Sequence, residues 1–376
     1  MKRFLAAIVA CAALAAGAQD ATPPPIAARA WILVDALSGQ TLAAQAADDR
    51  FDPASLTKLM TSYVVFAALR DHALDENRPV TPSPRAADAP GARMFLQAGR
   101  PVTVDELLQG LIVDSGNDAA VALAEAVAGS EDRFVDLMNR QAARLGLTDT
   151  HFVNATGAPA PDHHSSARDL AKLAAALIRD FPDRYALYSE KEFAYNDIRQ
   201  SNRNRLLWSD PSVDGLKTGS TQAAGYCLVA SAIRGERRLI SVVLGARTDG
   251  LRTTESEKLL NFGFQAYETR RVYAKGKPVA EVAIYKGTKS RVALGFDHDV
   301  WLTLPRGQFE GIRAVLDTRQ PFVAPLAAGE KAGIMKLMRD NAPLAQFAVV
   351  ALEDVPVAGF LSRGWDTLKL MFDAKP

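Results

Sequence analysis

The sequence predicts an α/β (α+β) fold in which helices pack on an antiparallel sheet, followed by a small all-β domain and an amphipathic tail helix. Three observations predict it. Two hairpin patterns stand far apart with helical periodicity between them, period-2 alternation takes over after Val272, and an apolar repeat of helical spacing closes the chain. At roughly 150 residues per domain, the 376 residues make two or three folded units. With 48% hydrophobic and 23% charged residues, there is enough apolar side chain to bury a full core. Lys plus Arg number 44 against 43 Asp plus Glu, with no block of like charge, which argues against nucleic acid as a partner.

The elements follow in order. Residues 1–18 read as a signal peptide, with a basic Met1-Lys2-Arg3, an apolar Phe4 to Ala16 and a small-x-small Ala16-Gly17-Ala18, so the protein is expected to be exported. The apolar run of roughly 15 residues falls short of the ~20 that a spanning helix needs. Cys227 is then the one cysteine of the mature chain, so no intramolecular disulfide can form. Within residues 19–269, the first hairpin is Trp31 to Asp35 and Thr41 to Ala43 around Ser38-Gly39-Gln40. The second is Cys227 to Ile233 and Leu239 to Leu244. Helical patterns run over Ser55 to Leu69, Leu107 to Ala128, Ser130 to Leu145, Ala167 to Arg179 and Arg252 to Glu268. Residues 270–355 form the β-rich domain, with Val279 to Tyr285 and Val300 to Leu304 as its clearest strands. In the tail, 356–376, Leu361, Trp365, Leu368 and Phe372 share one helical face. Some 14 helical residues reach only ~21 Å against a ~30 Å hydrocarbon core, so the tail can lie on a membrane or dock on the body but cannot span.

Histidine is scarce, and His72, His151, His163, His164 and His298 form neither an i, i+4 pair nor a ligand set with cysteine, so they read as surface or capping residues and no metal is expected. No G-x-S-x-G or Walker sequence is present. A hydrolase built on this chain must activate its nucleophile without histidine. Asp52-Pro53-Ala54-Ser55-Leu56-Thr57-Lys58 offers the means: with Asp52 as N-cap and Pro53 at the first helical position, Ser55 and Lys58 share a face one turn apart. A serine hydroxyl needs a base, and a lysine free in water, pKa ~10.4, is already protonated. Burial and a second cation both favour the neutral amine, and a depression of about three units corresponds to roughly 4 kcal/mol. Leu59, Met60, Tyr63, Val64, Val65 and Phe66 are apolar nearly all round, which sends this helix through the core. Two further elements accompany it: Ser115-Gly116-Asn117 before a helix, and Lys217-Thr218-Gly219 before a strand, where the glycine would let a substrate backbone lie along the strand edge.

Together the three elements resemble the S-x-x-K, S-x-N and K-T-G set of penicillin-binding proteins and serine β-lactamases. Phe51 to Ser55, Ser166-Ala167-Arg168-Asp169, Asn202-Arg203-Asn204, Leu206-Leu207-Trp208, Val213 to Gly219 and Ala224-Gly225-Tyr226 are similar to the low-molecular-mass D-alanyl-D-alanine carboxypeptidases, as is the layout of the whole chain. The resemblance implies a serine β-lactamase/transpeptidase-like catalytic domain and a peripheral position on the periplasmic face of the cytoplasmic membrane. It implies peptidoglycan pentapeptide stems as substrate, β-lactams as covalent ligands of Ser55, and no cofactor. Ser55 would be the acylated nucleophile, Lys58 its base and Ser115 a proton relay to the leaving D-alanine. Asn117 would hold the substrate amide, and Lys217 would supply the field that depresses Lys58. Thr218 would contact the terminal carboxylate, with Arg203 and Arg252 as further candidates for it. The backbone N–H groups of Ser55 and Ser220 would make the oxyanion hole beside Gly219. The chain departs from the pattern at Ser220, where a histidine is common. Ser166 and Asp169 also read as a capping box, Arg203 equally as a structural ion pair, and Cys227 as a core residue. A β-lactamase and a non-catalytic wall scaffold are the alternatives; the stretch His151 to Gly157, where a deacylating glutamate would be sought, holds no acid.

Overall fold

The computed structural model describes residues 21–318, 320–360 and 366. The signal peptide expected over 1–18 and the apolar tail face Leu361, Trp365, Leu368 and Phe372 lie outside the described residues. A five-stranded antiparallel sheet organises the first domain: β1 (Ala30–Asp35), β2 (Thr41–Gln45), β3 (Val213–Thr221), β4 (Gly225–Arg234) and β5 (Arg237–Ala246), in the order β2-β1-β5-β4-β3. Both hairpins read from the sequence are present, and closing the sheet between them brings β1 against β5, Leu33 opposite Ser241.

Helices cover both faces, because alternate residues of the central strands are apolar on each side. On one face Ile32, Val229, Val242 and Leu244 pack with α1 (Lys58–Arg70), α2 (Val104–Ile112), α3 (Asn117–Ala128), α4 (Glu131–Arg144) and α5 (Ala167–Asp180). On the other, Trp31, Leu33, Leu228 and Val243 pack with α6 (Asp249–Ala266). α1 is buried along nearly its whole length, from Lys58 to Leu69, as its all-round apolar sequence requires.

Two helical expectations need correction. The stretch Leu107 to Ala128 is not one helix: α2 ends at Ile112 and α3 starts at Asn117. The break is held by Gly116 N–H donating to Gly110 O at 2.9 Å, and Ser115 is left-handed at φ 62°. Gly116 allows this, since a Cβ there would lie 2.7 Å from Asp118 Oδ1. The last helix begins at Asp249, not Arg252, because Thr248 caps it by accepting Leu251 N–H at 3.2 Å. It stops at Ala266, since Tyr267 turns extended to pair with Pro305.

Between Tyr267 and Ala351 the elements are strands. Tyr267–Tyr273 pairs with Val300–Pro305, and a six-stranded sheet runs Arg313–Thr318, Lys331–Arg339, Ala342–Ala351, Arg291–Gly295, Ala280–Tyr285 and Phe322–Val323 around Leu294, Phe296, Leu302 and Val349. The β-rich region meets the first domain at Asp35, which is fully buried. Its carboxylate accepts Arg237 Nε–H at 2.8 Å, Thr269 Oγ1–H at 2.6 Å, and the N–H groups of Leu37 and Ser38 at 3.1 Å. Gln40 Oε1 accepts Thr303 N–H at 2.7 Å beside it. One carboxylate thus closes the first hairpin and ties it to the second sheet. Asp35→Ala, which leaves the Arg237 charge and the three other donors without their acceptor, should cost about 3 kcal/mol, read as a lower midpoint in chemical denaturation.

Candidate active site

The loop that carries Ser55 is where the sequence reading of the helix start fails locally. Asp52 does not cap the helix: its Oδ1 accepts Ala54 N–H at 2.8 Å and its Oδ2 accepts Thr221 Oγ1–H at 2.9 Å, tying this loop to the end of β3. Ala54 takes φ 47°, and a 3-10 turn over Ala54–Thr57 precedes α1. Ser55 is thereby lifted to the mouth of a cleft of about 350 Å³. Ser55, Ser115, Asn117, Arg203, Thr218, Gly219, Ser220 and Arg252 line that cleft, while Lys58 and Lys217 lie behind it, 1% and 3% exposed.

Lys58 Nζ is 3.2 Å from Ser55 Oγ, 2.6 Å from Asn117 Oδ1 and 2.6 Å from Thr156 O. Asn117 Nδ2 donates to Pro90 O at 2.5 Å, which leaves Oδ1 as the end that faces the amine. Two of these three neighbours can only accept. A neutral amine has two hydrogens, so both go to Asn117 Oδ1 and Thr156 O and the lone pair points at the serine hydroxyl. Lys58 is brought down to about 7, first by burial and then by the Arg203 guanidinium; Asp118 opposes. Lys217 is driven well below the ordinary lysine range as well, first by burial and then by Lys58, Arg203 and Arg252, so the two buried amines disfavour each other's charge. Arg203 is exposed and makes no ion pair among the described residues, with Asn202 and Asn204 buried on either side of it.

Arg252 lines the cleft and is also engaged within the protein. It is bound to Asp249, donates Nη1–H to Gly219 O at 3.1 Å and Cys227 O at 3.3 Å, and lies over the Tyr226 ring. It braces β3 from within as well as lining the cleft. Gly219 also has a packing role: a Cβ there would sit 3.1 Å from both Pro53 O and Ser55 N, so the glycine lets β3 press against the Ser55 loop. Asn117, expected to hold a substrate amide, has both ends engaged within the protein. Cys227 is fully buried, as a core residue. Ser166 Oγ caps α5 by accepting Asp169 N–H at 3.2 Å, but Asp169 returns no bond; it accepts Asp149 N–H at 2.7 Å instead.

Sequence reasoning missed several groups. Thr156 supplies a carbonyl, on a loop wound around Asn154 Oδ1, which accepts Gly157 N–H at 2.7 Å and Ala158 N–H at 3.1 Å. Gly157 sits at φ 83°, and a Cβ would overlap Ala54 O. Asp118, fully buried, accepts the N–H groups of Met94, Phe95 and Leu96 and pins the roof of the cleft. Asp114 is buried beside Ser115 with one oxygen lacking a hydrogen-bond partner, and is pushed up to about 7, first by burial and then by Asp118. His163 is not a surface or capping residue: it is buried, held down to about 4 by burial, and joins Thr57 Oγ1 at 2.8 Å to Val153 N–H at 3.0 Å.

A serine–lysine pair at the edge of an antiparallel sheet, with a helical layer above and a β domain behind, is the architecture of the penicillin-binding proteins. Penicillin-binding protein 5 from Haemophilus influenzae superposes with a TM-score of 0.86 at 42% identity, covering 89% of this chain and 99% of that one. Penicillin-binding protein 6B from Escherichia coli does so at 0.74 with 39% identity, over 89% and 98%. The D-alanyl-D-alanine carboxypeptidase family matches residues 17–248, and the penicillin-binding protein 5 C-terminal domain matches 267–357. The D-alanyl-D-alanine carboxypeptidase DacC of Escherichia coli K12 is 45% identical over 95% of this chain and 91% of its own length. The chain belongs to the D-alanyl-D-alanine carboxypeptidase family.

If Lys58 serves as the base for Ser55, the second-order rate of acylation by benzylpenicillin should climb about tenfold per pH unit below about 7 and level off above. Asp114→Asn, which removes the carboxyl also placed near 7, should leave that limb where it is. Stability follows the same group: between about 7 and 10.5 the unfolded chain binds a proton that the folded one does not, so the Lys58 contribution rises with pH across that window.

Proposed function

We propose that Ser55 is the nucleophile with which this D-alanyl-D-alanine carboxypeptidase removes the terminal D-alanine of peptidoglycan pentapeptide stems. The observation that carries the reading is the 3.2 Å approach of Lys58 Nζ to Ser55 Oγ, with two carbonyl oxygens 2.6 Å away to take the hydrogens of a neutral amine. Ser55 Oγ gives its proton to the Lys58 lone pair as it bonds to the scissile carbonyl carbon, and the oxyanion forms against the Ser55 and Ser220 N–H groups. The proton passes through Ser115 to the D-alanine nitrogen as the C–N bond breaks. Water then attacks the ester, losing its proton to Lys58, and Ser55 regains its hydroxyl. Arg203, exposed in the cleft, and Thr218 receive the terminal carboxylate. β3 is the edge strand, so a substrate can add beside it as a further strand.

Penicillins would acylate the same oxygen. Penicillin-binding protein D2 from Listeria monocytogenes, 32% identical, has been solved in a cefotaxime-bound form. No carboxylate is among the described residues that line the cleft, which favours a long-lived penicilloyl ester over rapid drug hydrolysis. Ser55→Ala should lower D-alanine release by about 10⁴-fold or more, with no penicilloyl mass on the intact protein. An adduct surviving in that variant would overturn the assignment, and minute-scale loss of the wild-type adduct would favour a β-lactamase.

The basic-then-apolar opening of residues 1–18 supports export, and the apolar face of 356–376 supports peripheral attachment to the periplasmic face of the cytoplasmic membrane. Among the described residues no helix is long and apolar enough to cross a membrane. Truncation before Gly359 should move the protein from the membrane pellet to the soluble fraction; unchanged partitioning would count against the anchor.

A further inference from the structure

The loop that presents Thr156 O to Lys58 and the turn that carries Ser55 are joined by a side chain that does not line the cleft. His163 is 5% exposed and both of its ring nitrogens are engaged: Nδ1 accepts Val153 N–H at 3.0 Å, and Nε2 meets Thr57 Oγ1 at 2.8 Å. A nitrogen that accepts an amide hydrogen carries none of its own, so the neutral ring has its proton on Nε2 and donates it to Thr57. Thr57 is fully buried, ends the 3-10 turn and immediately precedes Lys58. Val153 stands at the other end, three residues before the Thr156 carbonyl that lies 2.6 Å from the amine.

The loop is fixed at its base, where Phe152 N–H donates to Asn139 Oδ1 at 2.9 Å and Asn139 Nδ2 donates to Phe152 O at 2.8 Å. Farther along, Ala155 O accepts Thr61 Oγ1–H at 2.7 Å from α1. His163 adds a tie to the turn itself. Burial keeps its ring neutral down to about 4; Asp52 favours the charged form, and His151 and His164 oppose it. The tie is therefore intact throughout the range in which Lys58 titrates. We propose that His163 is a positioning residue for the reaction: through Thr57 and Val153 it clamps the Thr156 loop onto the turn that carries Ser55 and Lys58, holding the carbonyl acceptor in place and keeping water from the amine. This role rests on the Ser55 and Lys58 reading above. Without the clamp, water replaces Thr156 O as an acceptor and hydrates an ammonium besides, so the proton affinity of Lys58 rises toward that of a free lysine.

The test reads the acid limb of benzylpenicillin acylation, which falls at about 7 in the wild type. The variants are His163→Ala and Thr57→Val, the second keeping the side-chain shape while removing the acceptor. Each should move the limb up by about one pH unit, seen as about tenfold slower acylation at pH 7, with the alkaline plateau largely kept. The double variant should move it no further than the larger single shift, because both changes remove the same contact. Leu259→Ala serves as the control, since Leu259 is fully buried on the opposite face of the sheet. It should lower the denaturation midpoint and leave the limb at about 7. A limb unmoved in His163→Ala or Thr57→Val, additive shifts in the double variant, or an equal shift in Leu259→Ala overturns the role of His163 while the Ser55 and Lys58 assignment stands. Should the alanine variant not be recovered folded, Thr57→Val decides alone. A wild-type protein that is not acylated, or is acylated with no limb at about 7, overturns the underlying reading and this role with it.

Discussion

The molecule depends on one buried amine. Lys58 is in the core, where an ammonium is costly, and two carbonyl oxygens 2.6 Å away take its hydrogens. The same burial that lowers its proton affinity favours the neutral form, and the proposed role rests on that form's lone pair facing Ser55. A lysine with the same neighbours on the surface would be protonated and inert as a base.

Holding that amine requires four segments that are remote in sequence. α1 carries it, the Thr156 loop and Asn117 at the start of α3 cradle it, and Arg203 adds the field from the loop before β3. Their approach is made possible by small residues and strained turns. Gly219 and Gly157 let β3 and the Thr156 loop close on the Ala54 to Ser55 backbone, and Ser115 and Ala54 take positive φ angles that place the turn beside the cleft and Ser55 at its mouth. The buried carboxylates of Asp35 and Asp118 work likewise through backbone N–H groups, one at the join to the β domain and one over the cleft.

Much of this was legible in the chain. The two hairpins were readable because their apolar runs are bounded by turn residues, and α1 because it is apolar on every side. The Ser55/Lys58 spacing is a local property of a helical turn, and the other two motif elements gained meaning from their order and contexts. Less was legible wherever a backbone atom or a long-range contact does the work. Thr156 acts through its carbonyl, which every residue has, and Asp118 looks like any first-turn acid. Asp52 resembles an N-cap until Thr221 is seen to claim its second oxygen. The division of Leu107 to Ala128 into two helices was half visible, in Ser115-Gly116-Asn117, yet helical periodicity continues across it.

By itself, then, the amino-acid sequence determined which residue types stand one helical turn apart, which strands pair with their immediate neighbours, and which segments are apolar enough to be interior. These follow from local geometry and from the period of the hydrophobic pattern. Only the tertiary structure decided that Lys58 is buried, which oxygens its amine meets, and how Gly219 and Arg252 pack. Those outcomes depend on distances and burial among segments up to about two hundred residues apart in the chain, and electrostatic and packing energies are set by such distances rather than by composition.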